Sequence, residues 1–369
     1  METLYPKLIL DALTNVRYPG NGKNIVELGM VEDDIRIEGN KVSFSLIFDK
    51  PTDPFVKSLV KAAETALTTY ISPEVEVKGN VAVKFRQTVA ANVEETPLPG
   101  VKNIIGISSG KGGVGKSTVA SNLAVALARK GYKVGLLDAD IFGPSVPKMF
   151  GVEDEPIYME NVGGRDCIVP VERYGVKVLS IGFLVDKDSP VLWRGAMASR
   201  ALNQLITQAS WGELDYFLID MPPGTSDIHL SLVQTLPITG VVIVSTPQQV
   251  ALADARKGIA MFTDDKVNVP VLGIVENMAW FTPEAHPTER YYIFGRNGAV
   301  ELAEKLKVEL LAQIPMVCGI CEGGDQGSPI ALADSMSGLA FMDLAEAVDR
   351  ATAKRNNELP PTEKVHTHQ

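Results

Sequence analysis

The apolar positions of this chain keep one rhythm up to about residue 90 and another from residue 101 onward. In the first stretch Ile9, Ala12, Leu13 and Val16 fall at helical spacing and predict a helix. Tyr18-Pro19-Gly20-Asn21-Gly22 is a turn signal. Ile35-Arg36-Ile37 and the run 42–48 alternate as strands do, with Gly39-Asn40 between them as a hairpin turn. Pro54 opens a second helix carrying Val56, Leu59, Val60, Ala63 and Leu67, and Val81-Ala82-Val83 is a short closing strand. This α-β-β-α-β order predicts a small α+β domain over residues 1–90. Residues 91–100 end Thr96-Pro97-Leu98-Pro99-Gly100 and read as a linker with a stiff end.

The second rhythm is longer. Apolar runs at 101–107, 133–138, 177–181, 216–220, 241–245, 271–275 and 310–314 alternate with stretches of helical period. That alternation predicts an α/β domain over 101–350, a mostly parallel sheet with helices on both faces. Ligands in such folds bind at the carboxyl ends of the strands. A polar tail, 351–369, follows.

The candidate chemistry sits at those strand ends. Gly110, Lys111, Gly112, Gly113, Val114, Gly115, Lys116, Ser117 and Thr118 fit the phosphate-loop pattern G-x-x-x-x-G-K-S/T between an apolar run and a helical one. The glycines let phosphate oxygens approach the backbone, Lys116 reaches the β- and γ-phosphates of ATP, and the Ser117 hydroxyl ligates Mg²⁺. The strand 216–220 ends in Asp220, which holds Mg²⁺ directly or through water, and Gly224 in the following Met-Pro-Pro-Gly-Thr offers an amide to sense the γ-phosphate. Asp138-Ala139-Asp140 follows another strand, where an aspartate faces a phosphate and its water or else forms a turn or a cap. Asn277 stands just past the strand 271–275, where its amide either meets a nucleotide base or closes an Asx turn. No site for a substrate hydroxyl is evident, so hydrolysis is favoured over kinase activity.

Composition then narrows the classes. The net charge of -10 argues against a general nucleic-acid binder, whose affinity rests on many Lys and Arg contacts. No apolar run is long enough for a membrane span, and METLYPKLIL lacks a signal-peptide pattern. Three cysteines, an odd count, form no disulfide framework and point to a reducing cytoplasm.

GKGGVGKST, LLDADIFGPSVPKMFG, VLWRGAMASRAL, IDMPPGTSD, STPQQVALADARKG, ENMAWF, IFGRNGAVELAEKL and EGGDQGSPIALAD together resemble the Mrp/ApbC family of MinD/ParA-like deviant-Walker ATPases. The small first domain resembles the one that precedes the ATPase in many Mrp-type proteins. The resemblance implies a cytosolic ATPase that carries iron–sulfur clusters as a homodimer and hands them to apoproteins, together with assembly factors. It gives catalytic roles to Lys116, to Lys111, which reaches the nucleotide of the other subunit, and to Asp140, which positions the attacking water. It also assigns adenine recognition to Asn277. The first domain has no cysteine and reads as a partner-docking module.

One departure matters. The family places C-x-x-C shortly after the ENM motif to hold a 4Fe-4S cluster bridging a dimer, but Phe281-Thr282-Pro283-Glu284-Ala285-His286-Pro287 has none. His286 alone reads as a solvated loop histidine. Cys318-Gly319-Ile320-Cys321 supplies a C-x-x-C farther on, in a loop past the strand 310–314, where the two thiols are either cluster ligands or small buried apolar groups. Two other functions stay open: a MinD/ParA-like positioning ATPase, and a nucleotide-gated scaffold without cluster binding. The tail Arg355-Asn356-Asn357-Glu358-Leu359-Pro360-Pro361 cannot make the basic amphipathic helix of a membrane switch.

Overall fold

A computed structural model describes residues 4–19, 22–32, 34–48, 53, 55–85, 97–141, 143–162, 164–184, 195–283 and 285–364. The chain divides into two units, Met1–Glu94 and Glu95–Gln369.

In the first unit α1 (Pro6–Leu13), β1 (Arg36–Glu38), β2 (Lys41–Phe48), α2 (Val56–Tyr70) and β3 (Val81–Phe85) follow the predicted order. β1 and β2 form an antiparallel hairpin turned at Gly39, whose φ of 63° suits glycine. β3 pairs parallel to β2, which demands a crossover, and α2 supplies it. Ile9 and Leu13 of α1, Phe44 and Leu46 of β2 and Leu59 and Leu67 of α2 close the core. Val16 lies beyond the end of α1, buried in the turn that follows. Gly20 and Asn21 of the expected turn, Pro54 and linker residues 91–96 lie outside the described residues.

The second unit runs β4 (Val101–Ser108), α3 (Lys116–Arg129), β5 (Val134–Asp138), α4 (Val146–Phe150), β6 (Tyr158–Val162), β7 (Arg165–Val169), β8 (Val171–Arg173) and β9 (Val176–Ser180). It continues through α5 (Gly195–Thr207), β10 (Leu214–Asp220), α6 (Asp227–Thr235), β11 (Gly240–Ser245), α7 (Gln249–Thr263) and β12 (Val271–Glu276). It closes with α8 (Gly298–Leu306), β13 (Leu310–Gln313), α9 (Cys318–Asp325) and α10 (Met336–Glu358). The sheet order is β13-β12-β11-β4-β10-β5-β9-β8, with every pair parallel except the β8 edge. All seven strands expected from the apolar runs are present. β8 and the β6–β7 hairpin were not expected: all five residues of β6 are exposed, so no alternating burial marks it.

Helices cover both faces. Leu202, Leu205, Ile259, Phe262 and Leu302 pack on one side of the sheet, and Leu123, Leu127, Phe341, Leu344 and Val348 on the other. Helix α3 is buried almost all round from Val119 to Leu127, which is why its apolar residues are spaced by small alanines. Leu123 and Leu127 each contribute about 1.5–3 kcal/mol by leaving water. Helix α10 corrects one boundary. It runs to Glu358, through the start of the expected tail, because Ala351 and Thr352 still face the core. Pro360 and Pro361 follow its end.

Candidate active site

The carboxyl ends of β4, β5, β10 and β12 face one edge of the sheet and set the site. Past β4 the chain turns through residues 109–115 into α3. Two glycines there are fixed by close approach. A Cβ on Gly110 would lie 2.1 Å from the Asp254 backbone in α7, and one on Gly115, φ 80°, would lie 2.2 Å from Asn277 Nδ2. The first amides of α3 have no intrahelical partner and give the loop partial positive charge.

Lys116 opens α3 and is buried at 6% exposure. Its Nζ donates to Asp220 Oδ1 at 2.6 Å, donates to Ser117 Oγ at 3.3 Å and stands 3.7 Å from Asp140 Oδ2. Three residues far apart in sequence thus meet at one ammonium. Asp220 is fully buried, and its Oδ2 has no partner among the described residues. Burial raises its carboxyl above the usual range, while the Lys116 ammonium opposes that.

Asp138, the first aspartate of its pair, takes the turn-and-cap role, one of the two readings of this pair. Its carboxylate accepts from the Asp140 and Val146 amides, at 3.1 and 3.2 Å, and from Ser180 Oγ at 3.0 Å. It therefore ties the turn that carries Asp140 to the start of α4 and the end of β9. Burial, with the nearby Asp220 charge, pushes its carboxyl up to about 7.

Two cavities adjoin the loop. One of about 200 Å³ is lined by Gly112, Gly113, Lys116, Ser117 and Asp140. The other, about 410 Å³ and more apolar, is lined by Asn277, Met278, Met316, Val317, Ile320 and Cys321. Thr118 and Met149 line both, so the two are neighbours. Polar groups at the closed end and apolar walls beside it suit a nucleotide, phosphates inward and base outward. Asn277 does not close an Asx turn; its Nδ2 donates to the Val114 carbonyl at 2.8 Å and so holds the phosphate loop. Neighbouring Glu276, buried, accepts from the Ala299 amide at the start of α8 and from Gln313 Nε2 on β13. Nothing in the sequence marked it as an anchor.

The other expected residues stand apart from this cluster. The Lys111 ammonium has no ion pair or hydrogen bond among the described residues; only its carbonyl is engaged, by Ser109 Oγ. The Gly224 amide, expected at a γ-phosphate, donates to the Ser109 carbonyl at 2.8 Å. His229, which the sequence did not single out, lies buried under the 221–226 loop at the start of α6.

The cysteine pair corrects two expectations. Cys318 and Cys321 lie not in a loop but in the first turn of α9, one turn apart and hence on one helix face. Helix propensity is poor there, with three glycines in eight residues, but tertiary fit requires one of them: a Cβ on Gly323 would lie 2.6 Å from the Ser328 carbonyl. Both thiols are exposed, so they are not buried apolar groups. The segment after the ENM motif also comes beside them. Phe281 bridges Met316, and the Met316 amide donates to the Trp280 carbonyl at 2.7 Å, two residues before Cys318. His286 is exposed and faces Glu289, and Cys167 lies alone on β7. No three His, Cys, Asp or Glu residues cluster as a metal site among the described residues. No helix among them is long and apolar enough to cross a membrane.

Comparison with known proteins fits this geometry. Residues 100–349 match the family described as NUBPL iron-transfer P-loop NTPase, and residues 7–78 match the one described as iron-sulfur cluster assembly protein. A Synechocystis sp. protein named iron-sulfur cluster carrier protein is 44% identical over 343 residues, which span 92% of this chain and 96% of its own. A nucleotide-binding protein from Archaeoglobus fulgidus, solved in complex with ADP, is 36% identical with a TM-score of 0.57, covering 75% of this chain and 98% of that one. The septum site-determining protein MinD from Pyrococcus horikoshii, complexed with Mg-ADP, is 28% identical with a TM-score of 0.51, over 69% of this chain and 98% of that one.

Proposed function

The chain belongs to the family of NUBPL iron-transfer P-loop NTPases, and on that footing we propose that it is an iron–sulfur cluster carrier that binds ATP, hydrolyses it slowly and passes clusters to apoproteins. Phosphoryl transfer needs positioning and charge neutralisation more than covalent chemistry. Lys116 exchanges its carboxylate partners for the β- and γ-phosphates, and the loop residues 110–118 cradle them. Asp140, released from that ammonium, orients the attacking water. The base enters the apolar cavity beside Asn277, whose Oδ1 remains available to the adenine amino group while Nδ2 holds the loop.

The donor set fits Mg²⁺: Asp220 Oδ2 is a buried oxygen without a partner, and Ser117 Oγ lies within reach of the same ammonium. When bound, Mg²⁺ neutralises charge on the phosphate oxygens. Lys111, whose ammonium has no partner among the described residues, reaches the nucleotide of a second copy, which makes a homodimer the working form. The Gly224 amide leaves Ser109 to sense the γ-phosphate. The protein works in the cytoplasm, where its thiols stay reduced.

The observation that carries the cluster reading is the cysteine pair: two exposed thiols on one helix face, beside the segment that follows the ENM motif. One chain supplies two thiolates and a usual cluster takes four, so a two-fold dimer completes the set. Anaerobic reconstitution of the parent and of Cys318→Ser/Cys321→Ser, with iron and sulfide counted, tests this. The parent is expected to take about four irons per dimer and the variant none. Equal iron in both, or none in the parent, defeats the reading.

A further inference from the structure

We propose that His229 is a positioning residue for ATP hydrolysis, its Nε2–H being the donor that the Pro222 carbonyl takes up when the 221–226 loop moves against bound nucleotide. The proposal rests on the ATPase reading of the site. His229 is the third residue of α6 and is 1% exposed. Its Nδ1 accepts from the Ser226 amide at 3.2 Å and lies 3.1 Å from Ser226 Oγ. An accepting Nδ1 leaves the ring proton on Nε2. That Nε2 is buried without a well-formed hydrogen bond among the described residues, and the Pro222 carbonyl is close beside it.

The loop above it is poised between two sets of bonds. At one end the Gly224 amide donates to the Ser109 carbonyl. At the other the His229 donor has no well-formed bond among the described residues, and a buried donor left fully unsatisfied costs about 1–3 kcal/mol, so a better aligned Pro222 carbonyl is a gain. A shift that turns the Gly224 amide toward a γ-phosphate breaks the first bond and makes the second. The ring is held at the start of α6 by its N-cap Ser226 on one side and by the Phe262 ring, 6.1 Å away at 63°, on the other. Within the 221–226 loop, the 222–224 segment, before that cap, is therefore the part that moves. Burial, with the Lys116 ammonium nearby, pushes the imidazole down to about 4, so it stays a neutral donor at working pH and adds no charge beside the phosphates.

Two variants separate the capping bond from the loop bond. Asparagine carries an amide where the imidazole has Nδ1, so His229→Asn keeps a cap for Ser226 but cannot reach the Nε2 position. Glutamine reaches that position with an N–H donor. The expected result is that His229→Asn lowers kcat about tenfold with KM for ATP within about twofold of the parent, while His229→Gln restores most of kcat. Both should unfold near the parent's Tm. Parental kcat in the asparagine variant, no recovery in the glutamine variant, or a loss that follows Tm rather than kcat would overturn the assignment. A parent without any ATPase activity would instead overturn the reading on which it rests.

Discussion

The phosphate loop and helix α9 share the wall of one cavity on the same edge of the sheet, yet they are built in opposite ways. Around the loop, Lys111 apart, the charged groups are buried and held: Lys116 is 6% exposed, Asp220 is fully buried, and Asp138 is held by three donors. On α9 the two thiols are exposed, and the helix is short and glycine-rich. The difference follows from what each must do. Phosphoryl transfer gains from groups fixed before the reaction, because reorganisation then adds nothing to the barrier. On the cluster reading proposed above, the thiols load and release cargo, and that requires access from solvent.

The largest effect that would break this contrast is at the loop. Lys116→Ala should lower kcat/KM for ATP by about 10²–10³-fold with much weaker nucleotide binding, whereas Asp140→Ala should bind ATP near the parent's affinity and lose turnover. Steady-state kinetics with equilibrium binding decides it; an Asp140→Ala protein that turns over like the parent removes the water-positioning role.

Burial at the loop end predicts a pH effect on stability, carried by the His229 imidazole. His229 sits at about 4 when folded against an ordinary 6.5, facing Lys116 and Asp140. Between those values the unfolded chain binds a proton that the folded one refuses. Its contribution is therefore fully present above pH 6.5 and lost as pH falls toward 4, at most on the order of 3 kcal/mol. Urea unfolding of the ATPase unit should show the parent losing stability relative to His229→Gln across that window. Parallel curves would mean that the imidazole does not resist protonation.

The smallest effect joins the two regions. Because Cys321 lines the cavity assigned to the base, nucleotide at ten times its Kd should slow alkylation of Cys321 about tenfold and that of Cys318 less. Mass-spectrometric mapping of a maleimide time course measures both rates. Equal rates at both thiols, with and without nucleotide, would separate the cavity from the base.

Much of the fold was legible because it rests on local periodicity. The seven parallel strands each show as a run of apolar residues, and the loop between β4 and α3 as closely spaced glycines ahead of a lysine. The β6–β7 hairpin was not legible, since it buries almost nothing. Nor was the helical state of Cys318 and Cys321, where three glycines argue against a helix and only the close return of Ser328 explains one of them. Glu276 and His229 escaped notice because each acts through hydrogen bonds to segments distant in sequence or to backbone that no pattern marks, and Asp138, for which a turn or cap was legible, also reaches Ser180 on a distant strand.

The sequence by itself determined the α/β architecture, the order of strands along the chain and the residue types at the phosphate loop, because helical and strand periods and glycine spacing are properties of neighbours. Tertiary structure alone decided which strand ends meet. It brought Lys116 to Asp220 and Asp140, set Phe281 beside Met316, and left Nε2 of His229 without a well-formed hydrogen bond among the described residues, beneath the 221–226 loop. These are long-range pairings, fixed by how the sheet orders its strands and packs its helices, and no local pattern encodes them.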